Sequence, residues 1–544
     1  MERKKAILLA GVVVVAMLLA QIPINALDTT PSTEKRIIRK EITSIHKPLG
    51  IGMGGNVLVS ADNPDADDWY PKITRGAGYI VISYIKEISL VEQSIMVAYS
   101  ADNGDSWTGA FEFNSLEFTA GSGVLQSPDI KYCSAADEFF LTMIDPLAEM
   151  YNHEMAWIPG DIGAAESAMW WGISGVGSSG YEEAALTYCA NDWLVSASTE
   201  ETSGLEKTLG LIYAYHDKEA DDVLLTSDVF PGGAAGFYYD GNSILETAPS
   251  YKPEMATGAN RMYLVTEHYN EAEGKYQIAF KATVTSADPL LTTSGGGPGG
   301  MDKYADIEVW PWQMYVADGT DPDVSASGTN LCIVYTQDGV VKCSYTSTEP
   351  AEGDSYTFSV SEIGPGAYPA VYVSGNHVYC AYVNNGNLYI VESENGGATW
   401  GEPEQINDVD GTVAMEPGTV DICDAGVVWT DTRNGAKDIY FAAGAPAPVI
   451  GIKSISGGFG VTVEIENSGT APAENVQWSI DLSGLVFVGK HAEGTIASLA
   501  PGETTTVSPG FVLGIGPTTI TATAGGATKS ASGFVLGPLV LGVS

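Results

Sequence analysis

The chain has 544 residues, more than one ordinary hydrophobic core organises, so two or three domains are expected unless a closed ring uses several hundred residues as one unit. Its 63 Gly, 27 Pro and 27 Tyr suit many short strands joined by turns and exclude a long-helix architecture. A formal charge of -43 argues against a phosphate backbone or an anionic lipid surface as partner; its plain reading is solubility in salt, with specific cation binding as the alternative.

Residues 1–26 carry a basic start, Glu2-Arg3-Lys4-Lys5, an apolar run from Ala6 to Leu19, and Ile24-Asn25-Ala26 as a cleavage site before Leu27. This predicts a signal peptide and a secreted or cell-surface protein. An uncleaved anchor is the alternative, and no other segment is apolar enough to span a bilayer. Residues 27–53 read as a lead-in.

The middle of the chain repeats itself. Setting Pro322 on Pro369 aligns PDVSASGTNLCIVYTQDGVVKCSYTS with PAVYVSGNHVYCAYVNNGNLYIVESE without a gap, matching Val324 to Val371, Gly328 to Gly375 and Tyr335 to Tyr382. Each copy reads as a strand opened by Pro, a Ser-Gly turn, a second strand, an Asp-Gly or Asn-Gly hairpin, a third strand and an outer strand. Fainter copies begin at Pro71, Pro128, near Ala184, at Pro253 and at Pro417. The expected fold is all-β: a seven-bladed β-propeller over residues 54–445. Six blades with an inserted segment is the alternative, because the copies at Pro128 and Ala184 are the faintest. The last copy stops after DIYFA without an outer strand, and GGNVLVSAD at 54–62 precedes the first Pro. The N-terminal strand is therefore expected to complete the last blade and remove two open sheet edges.

The Gly-rich stretch Ser294 to Gly300 lacks the Lys-Ser/Thr of a phosphate loop and reads as a flexible insertion. Six cysteines, Cys133, Cys189, Cys332, Cys343, Cys380 and Cys423, show no metal spacing and read as buried thiols, with a Cys332–Cys343 disulfide across one hairpin as the alternative. After Ala445-Pro446-Ala447-Pro448 the chain turns poor in aromatics and rich in Gly, Ser and Thr, which predicts a β-sandwich over 446–544.

Two segments share one pattern: SADNGDSW, with Ser100, Asp102, Gly104 and Trp107, and SENGGATW, with Ser393, Asn395, Gly397 and Trp400. They resemble the Asp-box (BNR repeat) of sialidase-like β-propellers, a folding motif in which the acidic residue caps a turn, the Gly takes a positive φ and the Trp packs beneath. VWTDTRNGAKDIYFA, Val428 to Ala442, is similar to a blade sequence of the same family. VTVEIENSGTAPAENVQWSIDL and GTIASLAPGETTTVSPGFVLG resemble CARDB-like, immunoglobulin-like modules of prokaryotic surface proteins. In sialic acid-cleaving members the resemblance implies an Arg-Ile-Pro motif, two more arginines on the carboxylate, a Tyr/Glu pair and an acidic Asp. Tyr70-Pro71 stands at the first of these places. Only Arg75, Arg261 and Arg433 remain in the propeller, so sialidase chemistry is not expected. Arg433 is expected to pair with Asp431 or Asp438, and His153 and His268 to be structural.

Propellers bind ligands at one end of the central channel. The residue before each strand-opening Pro marks that mouth: Tyr70, Ser127, Glu183, Lys252, Asp321, Tyr368 and Glu416, with Trp69 and Tyr251 one position earlier. Aromatics beside hydrogen-bonding groups suit a carbohydrate, or merely line the channel. Asp67, Asp68 and Asp321 are a Ca2+ alternative without any EF-hand loop. No cofactor and no catalytic residue follows from the sequence. The main expectation is an exported, non-catalytic protein recognising glycan or protein; a glycoside hydrolase or lyase and a structural envelope component are the alternatives.

Overall fold

A computed structural model describes residues 55–60, 66–89, 92–114, 126–145, 153–173, 181–188, 193–202, 206–219, 222–225, 238–239, 250–270, 273–284, 312–351, 354–444, 450–467, 473–500, 503–525 and 527–543. Residues 1–26, the lead-in 27–53, Cys189 and the Gly-rich stretch 294–300 lie outside the described residues. Every regular element described is a β-strand.

Between residues 57 and 443 the described strands form seven antiparallel sheets, six of four strands and one of five. Their innermost strands are Asp67–Gly76, Gln126–Cys133, Tyr181–Tyr188, Ser250–Thr257, Thr320–Ser327, Ala367–Ser374 and Val420–Cys423. Each lies beside the next, and the seventh lies beside the first, so the ring is closed. This is a β-propeller fold. Second strands such as Tyr79–Ser89 are buried along most of their length, because neighbouring sheets cover both faces. The resulting cores sit between consecutive sheets: Phe139 and Leu141 of the second sheet pack on Val81 and Val97 of the first, and Leu331 and Ile333 of the fifth on Val265 and Phe280 of the fourth. Hairpins turn on two successive residues of positive φ, as at Asp338-Gly339 and Asn385-Gly386, where only Gly or Asx is comfortable.

The seventh sheet is Val420–Cys423, Gly426–Asp431 and Asp438–Ala443, completed by Val57–Leu58 from the other end of the chain. Val57 pairs with Phe441 and Leu58 with Tyr440. Asn56 extends the seam, donating to Ile406 O at 2.9 Å and accepting from Asp408 N at 2.8 Å. The expected closure by the N-terminal strand is what the structure has.

One expectation needs correction. The prolines do not open the innermost strands but lie inside them, in the middle of a β-bulge; regular pairing breaks between Trp69 and Lys72, Gln126 and Asp129, Tyr251 and Glu254, Thr320 and Asp323, and Ala367 and Ala370. Proline has no N–H for the ladder, so it sits where the ladder is interrupted. In the last copy the strand begins only at Val420, three residues after Pro417.

Both Asp-box segments join the third and fourth strands of their sheets and have the same geometry. Gly104 N donates to Ser100 Oγ at 2.8 Å and Ser106 N to Asp102 Oδ1 at 2.8 Å; Gly397 N donates to Ser393 Oγ at 2.9 Å and Thr399 N to Asn395 Oδ1 at 2.9 Å. Each Gly has a positive φ and presses on the preceding sheet, Gly104 on the Phe441 ring and Gly397 on the sulfurs of Cys343 and Cys332. Trp107 is buried edge-on to Phe441, at 5.2 Å between centroids, and Trp400 Nε1 donates to Ser361 Oγ at 2.9 Å. The boxes therefore fasten neighbouring sheets together. Cys133, Cys332, Cys343, Cys380 and Cys423 are free thiols, so the disulfide alternative is not realised. Burial holds the Cys343, Cys380 and Cys423 thiols well above their usual pKa.

Residues 450–541 form a separate pair of sheets, one of three strands and one of seven, packed across Val463, Ile465, Ile480, Ile520 and Val535.

Candidate ligand site at the channel mouth

Inner strands leave one edge facing the channel, and their orphaned N–H groups need acceptors. At several junctions a side chain of one sheet supplies them to the next. Asp129 Oδ2 accepts from Leu186 N at 2.9 Å, Asp323 Oδ2 from Val371 N at 2.6 Å and Asp421 Oδ2 from Ile73 N at 2.7 Å. Glu183 Oε2 accepts from Lys252 N at 2.6 Å and Glu267 Oε2 from Asp321 N at 2.8 Å. These carboxylates fix the ring and put negative charge along its axis.

The bulges aim side chains at that axis. Tyr70, Ser127, Lys252, Asp321 and Tyr368 all have φ between 47 and 54°, a left-handed conformation held by the paired residues on either side. A cavity of about 530 Å3 opens there. Trp69, Tyr70, Ser127, Glu183, Lys252, Asp321, Tyr368 and Glu416 all line it. Tyr251 does not; its ring turns to Tyr276, 6.3 Å between centroids. Gly418 is required here: its φ is 72° and a Cβ would lie 2.3 Å from the Tyr70 ring.

The rim is preorganised. Lys252 Nζ lies 2.6 Å from Asp321 and 3.0 Å from Glu267, and Lys437 Nζ lies 2.7 Å from Glu416 while standing 5.4 Å over the Trp69 ring. Trp69 and Tyr70 meet edge to face at 6.2 Å. Asp67 accepts from Lys437 N at 2.9 Å, so this member of the suggested Ca2+ set is engaged with the main chain, and Asp321 is engaged with lysine. Among the described residues no group of three or more His, Cys, Asp or Glu is arranged to hold a metal ion.

Beneath the rim lie residues that the sequence reading missed: Lys72, Glu254, Asp323 and Asp421 in the cavity wall, with Asp129 and Lys131 behind. Lys72 Nζ is 2.5 Å from Glu254 Oε1, and Lys131 Nζ is 3.3 Å from Asp129 Oδ1. Four carboxyl groups thus share two ammonium groups in the cavity floor, and three of them have raised pKa values. Burial, reinforced by Asp323 and Asp129 and opposed by Lys72, pushes Glu254 up to about 8. Burial likewise raises Asp323 to about 6 and raises Asp421. For Asp129 burial is outweighed by Lys131 and Lys72, and its pKa falls below the usual value. Lys72, although buried, is held well above its usual pKa by Glu254, Asp421 and Asp129. A readable signal existed: four of the missed residues directly follow the prolines, in Pro71-Lys72, Pro128-Asp129, Pro253-Glu254 and Pro322-Asp323.

The other singled-out residues are structural. Arg433 makes two bonds to Asp431, at 2.9 and 2.7 Å, and stacks on Tyr440. Arg75 faces Asp424 at 3.7 Å, and Arg261 lies on the Trp312 ring and donates to Pro350 O. His153 is buried at hydrogen-bond distance from Thr142 and Ser196, burial pulling its pKa down to about 3, and His268 meets the Tyr315 hydroxyl at 3.0 Å.

No protein-family model matches the chain, and no curated protein matches it in sequence. Solved structures similar to it include an α-L-arabinanase of Penicillium chrysogenum complexed with arabinobiose, at 11% identity over 73% of this chain and 99% of that one, TM-score 0.39. A six-bladed fucose-recognising lectin of Aleuria aurantia is 10% identical over 65% of this chain and 99% of its own, TM-score 0.33. A Trypanosoma rangeli sialidase mutant with trans-sialidase activity is 8% identical over 93% of this chain and 88% of its own, TM-score 0.35.

Proposed function

We propose that this protein is an exported glycan-processing enzyme acting at the mouth of the propeller channel. The observation that carries the reading is one cavity joining rim aromatics, Trp69, Tyr70 and Tyr368, to a carboxyl group, Glu254, that holds its proton near neutral pH. Sugar rings would stack on the aromatics. Glu254 would give its proton to the glycosidic oxygen as the bond from that oxygen to the anomeric carbon breaks. Water would attack the anomeric carbon and pass its proton to a rim carboxylate, Asp321 or Glu416.

The seven sheets favour a seven-bladed over a six-bladed reading of residues 54–445. The two packed sheets favour an immunoglobulin-like, CARDB-like module over residues 446–544, acting as a spacer, and residues 1–26 serve as a signal for export to the cell surface or beyond.

Glycan binding without turnover is favoured by one observation: Lys252 holds Asp321, and Lys437 holds Glu416, so both candidate bases are already engaged. A glycan-array screen followed by hydrolysis assays on each hit separates the readings. Turnover that falls about 100-fold or more in Glu254→Gln while binding persists supports the enzyme. Hits bound but never cleaved by the unaltered protein leave only the binding role, and a blank array removes both.

A further inference from the structure

Four segments converge at one end of the C-terminal pair of sheets. Gly460 N donates to Pro538 O and Ile515 N to Leu485 O, and the backbone at Gly489 packs against Phe511 O. Leu536 stands opposite Ile515 on one side and Leu539 on the other, and Phe459 stands opposite Leu539. The outward face of this end is apolar. Along Leu513–Ala524 the outward positions read Leu513, Ile515 and Pro517 before changing to Thr519, Thr521 and Thr523; along Ala527–Gly537 Leu536 and Phe534 give way to Ser532 and Ser530.

The exposure is large. Phe459 is 87% exposed and Phe487 68%, and Phe511, Ile515, Phe534 and Leu536 are each about half exposed or more. At roughly 200 Å2 per large side chain these six alone present about 700 Å2 of apolar surface. That exceeds the few hundred Å2 usual on a monomer and approaches the ~800 Å2 per partner of a stable interface. The charge pattern agrees: residues 457–461, 484–490, 510–517 and 533–543 contain no Asp or Glu and only Lys490 as a charged group, in a chain with 68 acidic residues.

We propose that this end is a self-association surface, docking the same end of a second copy of this chain. Two bodies of charge -43 repel wherever carboxylates face each other, and here they meet without any. A flat apolar sheet face is also self-complementary under two-fold symmetry, as an isologous dimer requires. A bilayer fits less well, since the four segments hold no Trp or Tyr for the interface and a single cation. The proposal is independent of what the channel binds.

Light scattering coupled to size exclusion, on the full chain at about 10 μM, tests it. The expected mass is near twice that of one chain. The double variant Phe534→Asp/Ile515→Asp should return it to one chain, and Phe487→Asp, in a different segment, should do the same. These positions are exposed, so circular dichroism should be unchanged. A single-chain mass for the unaltered protein up to about 100 μM overturns the proposal, as does a double mass that both variants retain. A monomer that floats with phosphatidylcholine vesicles, and loses flotation in the variants, assigns the surface to lipid and equally overturns it.

Discussion

Replacing Glu254 by Gln distinguishes a neutral acid in the channel floor from a charged partner of Lys72. If its pKa in the folded protein is about 8, against about 4.5 for a free carboxyl, the folded chain keeps a proton that the unfolded chain has released across that window. The resulting stabilisation is complete below about 4.5 and is lost as the pH rises through 8. Near neutrality the slope approaches about 1.4 kcal/mol per pH unit. Below about pH 6.5 other groups intrude: Asp323, raised to about 6, contributes with the same sign, and His153, lowered to about 3, with the opposite one. Between pH 6.5 and 8 Glu254 should dominate, and the protein should lose about 2 kcal/mol. Glutamine mimics the protonated acid, so Glu254→Gln should match the unaltered protein at pH 6.5 within about 1 kcal/mol and lose this slope. Were Glu254 charged, the same change would strand Lys72 and cost about 3–5 kcal/mol at both pH values. Urea denaturation followed by tryptophan fluorescence at pH 6.5 and 8 reads the difference. A variant already 3 kcal/mol weaker at pH 6.5 would show the reasoning to be wrong.

Two further substitutions test how the ring is held. Arg433→Ala removes both bonds to the buried Asp431 and the bond to Asn56 beside the closing strand, so it should cost about 3 kcal/mol; hydrogen exchange should rise first at Val57 and Leu58, and Arg433→Lys should restore little because it cannot make the paired contact. Asp102→Ala removes the acceptor for Ser106 N and both serine hydroxyls, with an expected loss of about 1–2 kcal/mol by urea denaturation. Hydrogen bonds hold the Asp102 carboxyl below its usual pKa despite partial burial, so its contribution is present above about pH 4 and disappears as the pH falls; the gap between Asp102→Ala and the unaltered protein should close on acidification.

The fold was legible because its repeat is punctuated by proline. A residue without an N–H must sit where the ladder breaks, the break throws the preceding residue into the left-handed region, and that residue then faces the axis. Tyr70, Lys252, Asp321 and Tyr368 follow this chain of cause, which is why residues counted from the prolines line the cavity. Residues one position earlier have no such constraint: Trp69 reaches the cavity by leaning on Tyr70, whereas Tyr251 turns to Tyr276. The floor was missed for a different reason. Alternation along a strand says that Lys72, Asp129, Glu254 and Asp323 share an orientation, but not that the closing ring brings four carboxyls and two ammoniums together, and only that proximity shifts their protonation.

Charge pairing also limits what the mouth can accept. Each lysine at the channel already has a carboxyl partner: Lys72 with Glu254, Lys131 with Asp129, Lys252 with Asp321 and Glu267, Lys437 with Glu416. The three arginines that could clamp an anion are held elsewhere by Asp424, Trp312 and Asp431, and none lines the cavity. An acidic sugar would have to break one of these pairs and would enter a site with more carboxyls than ammoniums. A neutral sugar meets neither cost: it could stack on Trp69 and Tyr368 and exchange hydrogen bonds with a rim whose lysines are already paired. If the mouth takes a glycan as proposed, this charge balance favours an uncharged one.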